Sequence, residues 1–345
     1  MMIIKRRRIC LLFFIGAVMY GLTYLMYMGS TAVNKPLNFK KEIRPTFSTS
    51  LTTNSSHNGS NKQINFLETE AEFMARYSAL HVERNKHIKQ MCQLHRNKIT
   101  KMTAKPILLV NEKHKMVYCQ TPKVATDSWA RIMLVLAGKT KYNDVMKMTH
   151  TQVSAAWKKQ VKYLSSFPVK KQNEILKNYT TFMFVRNPFS RLLSAYNDKF
   201  NPEQKNHGQF QGIYDTIWSR FRSNKQDESK TVQFEDFLNF VIDGMITRFN
   251  GHWREMHRVC YPCDIHYDVI GHFEDIENES KYILTRSKAN ITFPHSTGKH
   301  FTNSSGKLEK AYANIPASLI FDIYHKFKYD FMLFNYKIPI AFPLS

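Results

Sequence analysis

The sequence predicts an α/β fold in which a mainly parallel central sheet is flanked by helices. Short apolar runs with strand character recur, and helical apolar patterns follow them along the chain. The pattern continues from residue 68 to the end at 345, a length typical of one large domain. The chain is 43% hydrophobic with only 12 Gly and 12 Pro, which excludes a repetitive or disordered protein.

The predicted elements alternate in type. The predicted strands cover residues 107–110, 116–119, 181–185 and 267–270. The predicted helices cover residues 68–96, 128–136, 189–200, 234–242, 276–287 and 316–328. Pro188 stands at the start of the third helix, where the first helical turn tolerates proline.

Residues 9–28 form an uncharged apolar stretch that predicts an N-terminal transmembrane helix. Its length of about 30 Å matches the hydrocarbon core of a bilayer. The basic residues at 5–8 favour a cytosolic tail at 1–8, which places the rest of the chain in the lumen. A cleaved signal peptide, with a cleavage site at 30–32, is the alternative, although its apolar region would exceed the usual ~7–15 residues.

The segment that follows favours a lumenal environment. Residues 29–67 are rich in Ser, Thr, Asn and Lys and predict a flexible stem. Six Asn-x-Ser/Thr triplets are candidate glycosylation sites, at Asn54, Asn58, Asn178, Asn278, Asn290 and Asn303.

Four cysteines lie beyond the apolar stretch: Cys92, Cys119, Cys260 and Cys263. In an oxidising compartment they predict two disulfides, with three connectivities open. A zinc site is the alternative, because His257 and His266 flank Cys260 and Cys263 at even spacing. That pattern lacks the usual interval between ligand pairs, and no metal is expected. A redox Cys-x-x-Cys is a third interpretation, but no thioredoxin-like context accompanies it.

The charge balance indicates an anionic partner. Lys and Arg number 50 against 27 Asp and Glu, a net charge of +23. Only four of the basic residues precede the apolar stretch, so most of the positive excess belongs to the predicted lumenal part. A lumenal location excludes nucleic acid and leaves an acidic polysaccharide or a nucleotide.

Two strand–turn–helix motifs suit phosphate or sulfate. In the first, residues 121–129 (TPKVATDSW) turn from a strand into a helix, with Lys123 as a point charge and Thr126 and Ser128 as hydroxyl donors. It is not a Walker A loop. In the second, Arg186 ends a strand and Ser194 follows two turns along the next helix, a fork for a second phosphate.

The two motifs, in this order, resemble the donor-binding loops of sulfotransferases that use 3′-phosphoadenosine 5′-phosphosulfate (PAPS). The wider pattern resembles the Golgi carbohydrate sulfotransferases of the HNK-1 and chondroitin 4-O-sulfotransferase family. The motifs that carry this resemblance are YCQTPKV at 118–124 with Trp129, FVRNPFSRLLSAY at 184–196 with KF at 199–200, FEDF at 234–237, HW at 252–253, CYPC at 260–263, YDVIGHFE at 267–274 and FMLFNY at 331–336.

The resemblance implies that one lumenal domain, 68–345, binds PAPS through the two motifs. The residues carried over are Pro122, Lys123, Val124, Ala125, Thr126, Asp127, Ser128, Trp129, Arg186 and Ser194. The family's loop usually has Gly-Cys-Thr-Asn before the tryptophan, whereas this chain has Ala125 to Ser128. Loss of the glycine restricts the approach of the backbone to an anion, and Asp127 adds a negative charge beside it.

Sulfuryl transfer requires cationic protein groups beside the transferring sulfuryl group, to neutralise the negative charge of its oxygens. It also requires a base for the acceptor hydroxyl. Lys123 is expected to supply the charge. His150 is predicted as the base, because it falls between the two motifs, where related polysaccharide sulfotransferases place a catalytic histidine. His252, His272 and Glu274 remain alternatives.

The resemblance implies a single-pass type II Golgi membrane enzyme. It would transfer sulfate from PAPS to a glycan hydroxyl, with the 4-hydroxyl of N-acetylgalactosamine in chondroitin- or dermatan-like chains favoured. Arg191, Lys199 and Arg254 are predicted to contact the acidic acceptor. The rival hypothesis is a membrane-anchored glycan-binding protein without turnover, supported by Asp127 and the missing glycine. A form released from its signal peptide or stem would differ only in location.

Overall fold

A five-stranded sheet lies at the centre of the part of the chain that the structure describes. The computed structural model describes residues 68–99, 101–203, 207–223, 231–244, 250–294 and 305–338. The strands are β1 Leu108–Asn111, β2 Met116–Cys119, β3 Lys162–Tyr163, β4 Thr180–Val185 and β5 Val269–His272. Their spatial order is β3-β1-β2-β4-β5.

The sheet is mixed, so the prediction of a mainly parallel sheet is wrong for its β1 side. β2 pairs with β4, and β4 with β5, in parallel, whereas β1 is antiparallel to both β2 and β3. The cause is the connection between β1 and β2, which spans residues 112–115 only. A link this short closes a hairpin, because a parallel pair needs a crossover of a dozen or more residues.

Helices occupy the crossovers and both ends of the described chain. They are α1 Glu70–Leu94, α2 Thr126–Leu136, α3 Tyr142–Lys147, α4 His150–Gln160, α5 Val169–Asn178, α6 Pro188–Lys199, α7 Gln211–Ile217, α8 Phe234–Asp243, α9 His257–Cys260, α10 Ile276–Arg286, α11 Ser305–Tyr312 and α12 Ala317–Leu333. The predicted helices correspond to α1, α2, α6, α8, α10 and α12. The other six helices and β3 were not predicted, because they are short or lack sustained apolar periodicity.

Two groups of buried side chains hold these elements together. The first surrounds the sheet and α2, where the Trp129 ring packs 4.7 Å from Phe182 and 5.6 Å from Phe184, measured between centroids. The second joins α6, α8 and α12 around Phe237 and Trp253. Both groups brace the residues that follow β2 and β4, since α2 and α6 begin there.

The four predicted cysteines form two disulfides, Cys92–Cys263 and Cys119–Cys260. The second fastens the end of β2 to α9. The alternative zinc site is excluded, because Cys260 and Cys263 belong to different disulfides and His257 Nδ1 lies 2.7 Å from Asp330 Oδ1. The described residues contain no cluster of His, Cys, Asp and Glu suited to a metal ion.

The N-terminal predictions, namely the tail at 1–8, the membrane segment at 9–28 and the stem at 29–67, lie outside the described residues. Within the described part, every helix is too short or too polar to cross a bilayer. Asn54, Asn58 and Asn303 also fall outside it. The other three candidate glycosylation sites, Asn178, Asn278 and Asn290, are exposed.

Candidate active site

The turns that follow β2 and β4 meet at one edge of the sheet. The two strands are parallel neighbours, so their carboxyl ends lie side by side. Arg186, directly after β4, donates a hydrogen bond from Nη1 to the carbonyl oxygen of Lys123, at 3.2 Å. The two motifs that the sequence analysis singled out therefore form one site.

The turn after β2 presents its backbone N–H groups outward. Lys123 and Ala125 both have left-handed backbone conformations, with φ of 74° and 60°. Among the described residues, no backbone carbonyl accepts from the N–H groups of residues 124–128, whereas the N–H of Trp129 donates to Ala125. The hydroxyl of Thr126 donates to the carbonyl of Thr121 and closes the turn. Successive N–H groups in such a turn, at the start of a helix, create a concave site for an anion.

The Lys123 side chain is 15% exposed and pairs with Asp198 across 2.8 Å. Burial lowers the pKa of Lys123, and the opposing effect of Asp198 does not cancel this. Burial also raises the pKa of Asp198, but Lys123 and Lys199 outweigh it and hold that pKa at about 2. Lys199 Nζ lies 3.1 Å from the same carboxylate, so one anionic group bridges two ammonium groups.

Ser194 shares a helix face with residues that contact the turn. On α6, Arg191, Ser194 and Asp198 are spaced three and four apart, which places them on one side of a helix. Arg191 Nε donates to the carbonyl of Pro122 at 3.2 Å, and Asp198 binds Lys123. Ser194 therefore lies on the face of α6 directed at residues 122–123.

Arg191 corrects the prediction of a glycan-contacting surface residue. Its side chain is buried, with 1% exposure. Besides the carbonyl of Pro122, its guanidinium donates to the carbonyls of Arg254, at 2.7 Å, and Gly251. Burial lowers its pKa to about 10. Arg191 thus joins the turn after β2 to the segment that begins at residue 250.

Arg186 is almost fully buried, at 2% exposure, and its guanidinium stacks 4.2 Å from the centroid of the Phe273 ring. Burial lowers its pKa to about 10, and the nearby Glu274 opposes this shift. The aromatic support fixes the plane of the guanidinium, and a fixed planar fork suits a phosphate.

The remaining residues of the first motif differ in their surroundings. Val124 and Trp129 are fully buried, so their side chains pack beneath the turn. Pro122 and Ser128 are half-buried. Asp127 pairs with Arg131, 2.9 Å away, so its negative charge has a cationic partner on α2.

His252 lies beside the charged groups of the site, whereas the predicted base, His150, does not contact them. His150 is exposed at the start of α4. The pKa of His252 falls to about 3, first because of burial and then because of Lys199, Lys123 and Arg191. His252 Nδ1 lies 2.8 Å from Asn250 Oδ1, and the amide oxygen can only accept, so Nδ1 donates. The lone pair of the neutral ring is therefore on Nε2.

The other candidates have different partners. Glu274 accepts from the backbone N–H of Asn187 at 2.9 Å and from the Tyr336 hydroxyl at 2.8 Å. His272 lies next to Tyr336, with ring centroids 4.8 Å apart. Lys199 and Arg254 are half-buried at the margin of the site.

Comparison with known proteins identifies the family of this chain. The profile of the Sulfotransferase family matches residues 106–337, which include both motifs and β1 to β5. The chain belongs to the sulfotransferase family.

Its relatives act on carbohydrates, according to their names. Carbohydrate sulfotransferase 11 of Rattus norvegicus is 37% identical over 243 residues, covering 67% of each chain. Carbohydrate sulfotransferase 14 of Danio rerio is 32% identical over 240 residues, covering 67% of this chain and 62% of the relative. Carbohydrate sulfotransferase 10 of Xenopus laevis is 29% identical over 276 residues, covering 75% and 77%. No solved structure gave a significant match.

These similarities support a carbohydrate-modifying sulfotransferase, and the family implies PAPS as the sulfate donor. The residues present fit such a donor, because ammonium groups, a guanidinium, hydroxyls and backbone N–H groups converge where β2 and β4 end. They are the donor types that bind phosphate and sulfate.

Sequence reasoning did not identify three residues of this sulfotransferase site. Asp198 stands four positions after Ser194, and helical spacing alone could have indicated it. Asn250, which sets the tautomer of His252, and Phe273, which supports Arg186, reach the site from other segments. Phe273 belongs to the YDVIGHFE motif at 267–274, but nothing in that motif indicates that its ring supports Arg186, and no local pattern marks Asn250.

Proposed function

We propose that this sulfotransferase transfers sulfate from PAPS to the 4-hydroxyl of N-acetylgalactosamine in chondroitin- or dermatan-like chains. The observation that supports it best is the hydrogen bond from Arg186 to the Lys123 carbonyl, because it brings both donor motifs into one site. The acceptor class is inferred from the resemblance and from the net charge of +23.

In this proposal, the Lys123 ammonium and the N–H groups of residues 124–128 bind the 5′ end of the donor. Arg186 and the Ser194 hydroxyl bind its 3′-phosphate. PAPS supplies the activated sulfuryl group when bound. Lys123 stabilises the negative charge that develops on the departing adenosine 3′,5′-bisphosphate, since a preformed positive field is effective in a water-poor site.

His252 is the proposed base, in place of His150. It is neutral, its Nδ1–H is held by Asn250, and Nε2 has no partner among the described residues. A neutral imidazole with a fixed tautomer can accept the proton of an attacking hydroxyl at Nε2, and the negative charge of the bound donor would raise its low pKa toward the working pH by offsetting Lys199 and Lys123.

The test of the activity uses purified protein with labelled PAPS and desulfated chondroitin, dermatan and heparosan. We expect label in chondroitin or dermatan, and disaccharide analysis should place it on the 4-hydroxyl of the galactosamine unit. Lys123→Ala and Arg186→Ala should lower kcat/KM at least a hundredfold. Binding of these glycans without label transfer would instead support the glycan-binding hypothesis, and sulfate at another hydroxyl would contradict the proposed position.

The test of the base compares His252→Ala with His150→Ala. His252→Ala should lower kcat by about 10² to 10⁴ with little change in the Kd for adenosine 3′,5′-bisphosphate. His150→Ala is the matched control and should retain nearly full kcat. The reverse result would return the role to His150.

The proposed location is the Golgi membrane, with residues 1–8 cytosolic and 68–345 lumenal. Its support is the uncharged segment at 9–28 after four basic residues. Glycosidase treatment should shift the mobility of the protein extracted from cells, and alkaline carbonate should leave it in the membrane fraction. Release by carbonate, or an N-terminus that begins after residue 30, would support the cleaved form.

A further inference from the structure

A groove lies between the C-terminal half of α1 and the segment that precedes β5. It has a volume of about 790 Å³. One wall carries Lys86, Lys89, Arg96 and Lys101, and the other carries residues 262–267. We call this feature the basic groove.

The charged residues that line the basic groove are almost all positive. From residue 84 to residue 111 the sequence contains seven Lys or Arg and no Asp or Glu. Lys86, Lys89, Arg96 and Lys101 are exposed, and none forms an ion pair with another described residue. Asp264 is the single carboxylate of the lining, and its Oδ2 already accepts from the backbone N–H of Met102, at 2.9 Å.

The basic residues form a line. Lys86, Lys89 and Arg96 are three and seven positions apart, which keeps them near one side of α1 and its extension. At 1.5 Å per residue they span about 15 Å. A row of cations with this spacing suits an extended chain that carries negative charges at intervals.

The walls of the basic groove are fixed in position. The disulfide Cys92–Cys263 joins them directly. Asn85 Nδ2 donates to the carbonyl of Asp268 at 3.1 Å, and Arg84 Nη1 donates to the carbonyl of Ile270 at 2.8 Å. Binding along the groove therefore requires little reorganisation of the backbone, which favours affinity.

A continuous set of contacts connects the basic groove with the active site. Thr103, two residues after Lys101, has its hydroxyl 3.4 Å from that of Tyr261. Arg254 Nη2 lies 3.5 Å from the same Tyr261 hydroxyl, and the Arg254 carbonyl accepts from Arg191. Arg254 stands two residues after His252, the proposed base. These contacts link the Lys101 end of the groove to the segment that carries the proposed base.

We propose that the basic groove is a second binding site, which holds the carboxylate-bearing part of an acidic polysaccharide while another sugar of the same chain occupies the active site. The inference rests on the proposed function, which supplies the reacting end of the polymer. Its consequence is a preference for long acceptors, because each exposed charge pair contributes little and several must act together.

The experiment compares Lys86→Glu/Lys89→Glu with the wild-type protein on two acceptors, chondroitin polymer and a chondroitin tetrasaccharide. For the variant we expect an increase of about tenfold in the KM for polymer at low salt, which diminishes at high salt. The kcat, the KM for PAPS and the KM for the tetrasaccharide should stay within twofold, which also shows that the variant folds. Lys170→Glu/Lys177→Glu, on the exposed face of α5, is the matched control and should behave as wild type.

Direct binding separates this inference from the proposed activity. Immobilised chondroitin polymer should retain the wild-type protein and release the Lys86/Lys89 variant at lower salt, whether or not sulfate is transferred. An unchanged polymer KM and elution, or an equal loss in the α5 control, would overturn the inference. Binding to anionic lipid vesicles that the variant loses while its polymer KM stays normal would overturn it in favour of a membrane contact.

Discussion

Lys123 Nζ and Asp198 Oδ2 lie 2.8 Å apart, although 75 positions separate the two residues in the sequence. Lys123, the proposed ligand of the donor, is thus paired with the carboxylate of Asp198. Asp198 stands one helical turn after Ser194, which is proposed to bind the same donor. If Lys123 binds the anionic donor as proposed, Asp198 competes with the donor for the same positive charge and lowers the affinity for it.

Asp198→Asn should lower the KM for PAPS about threefold, because it removes one charge of the same sign as the donor from a partly exposed pair. Initial rates at varied PAPS concentration measure the effect. Asp322→Asn, an exposed acid on α12, is the control and should leave the KM unchanged. An increase in the KM would mean that Asp198 chiefly orients Lys123.

Ala125→Gly should stabilise the protein by roughly 0.5–1 kcal/mol, because Ala125 has φ of 60°, a conformation that glycine adopts without strain. Urea unfolding measures the change. Ala156→Gly, within the regular helix α4, should destabilise by a similar amount, because there glycine only adds freedom to the unfolded chain. If both substitutions destabilise equally, the backbone at Ala125 is unstrained.

Arg191→Lys should destabilise the protein by about 2 kcal/mol or more. Lysine keeps the charge but cannot bind three carbonyls in the planar arrangement of a guanidinium, and the side chain is buried. Arg286→Lys, at an exposed position, should change the free energy of unfolding by less than about 0.5 kcal/mol. If Arg191→Lys and Arg286→Lys have the same free energy of unfolding, the hydrogen bonds of Arg191 do not stabilise the fold, and the surface role predicted from the sequence is favoured.

Removal of the disulfide by Cys119→Ser/Cys260→Ser should lower the free energy of unfolding by about 2–5 kcal/mol. It should also raise the KM for PAPS, because Cys119 is the last residue of β2 and the proposed donor turn follows it directly. Thr121 Oγ1, in that turn, donates to Cys260 Sγ at 3.1 Å. Cys92→Ser/Cys263→Ser should destabilise similarly but leave the KM for PAPS unaltered. An equal rise in both double variants would indicate a general loss of structure.

Stability should decrease as the pH falls below about 6.5. Burial, followed by nearby cations, lowers the pKa of both His252 and His272 to about 3. The unfolded chain therefore binds more protons than the folded one between pH 6.5 and 3, and each histidine contributes up to about 2 kcal/mol of lost stability at pH 5. Urea unfolding at pH 7 and pH 5 measures the loss.

His272→Gln should reduce this pH dependence, because the substitution removes one of the two shifted groups. His266→Gln, at an exposed position, is the control and should leave the dependence as in the wild type. A pH dependence that neither substitution alters would assign the effect to carboxylates.

Local patterns in the sequence determined much of the fold. Strands β2 and β4 and helices α2 and α6 follow from apolar runs and from turn residues such as Pro188, since these signals act within a few positions of the chain. The two strand–turn–helix motifs were identified for the same reason. Arg186 and Lys123 each stand where a strand ends, and the parallel pairing of β2 with β4 brings those ends together.

Only the tertiary structure decided which distant residues meet. The sequence left three disulfide pairings open, because the two bonds close separations of 141 and 171 residues. It predicted Arg191 at the surface, and the packing of α6 against residues 250–254 buries it. His252 adjoins the charged site, whereas His150, which lies between the motifs in the chain, does not contact it. The order of residues along the chain determines which side chains are close within one helix, strand or turn. Which residues of different elements meet is determined by how the crossovers pack those elements together.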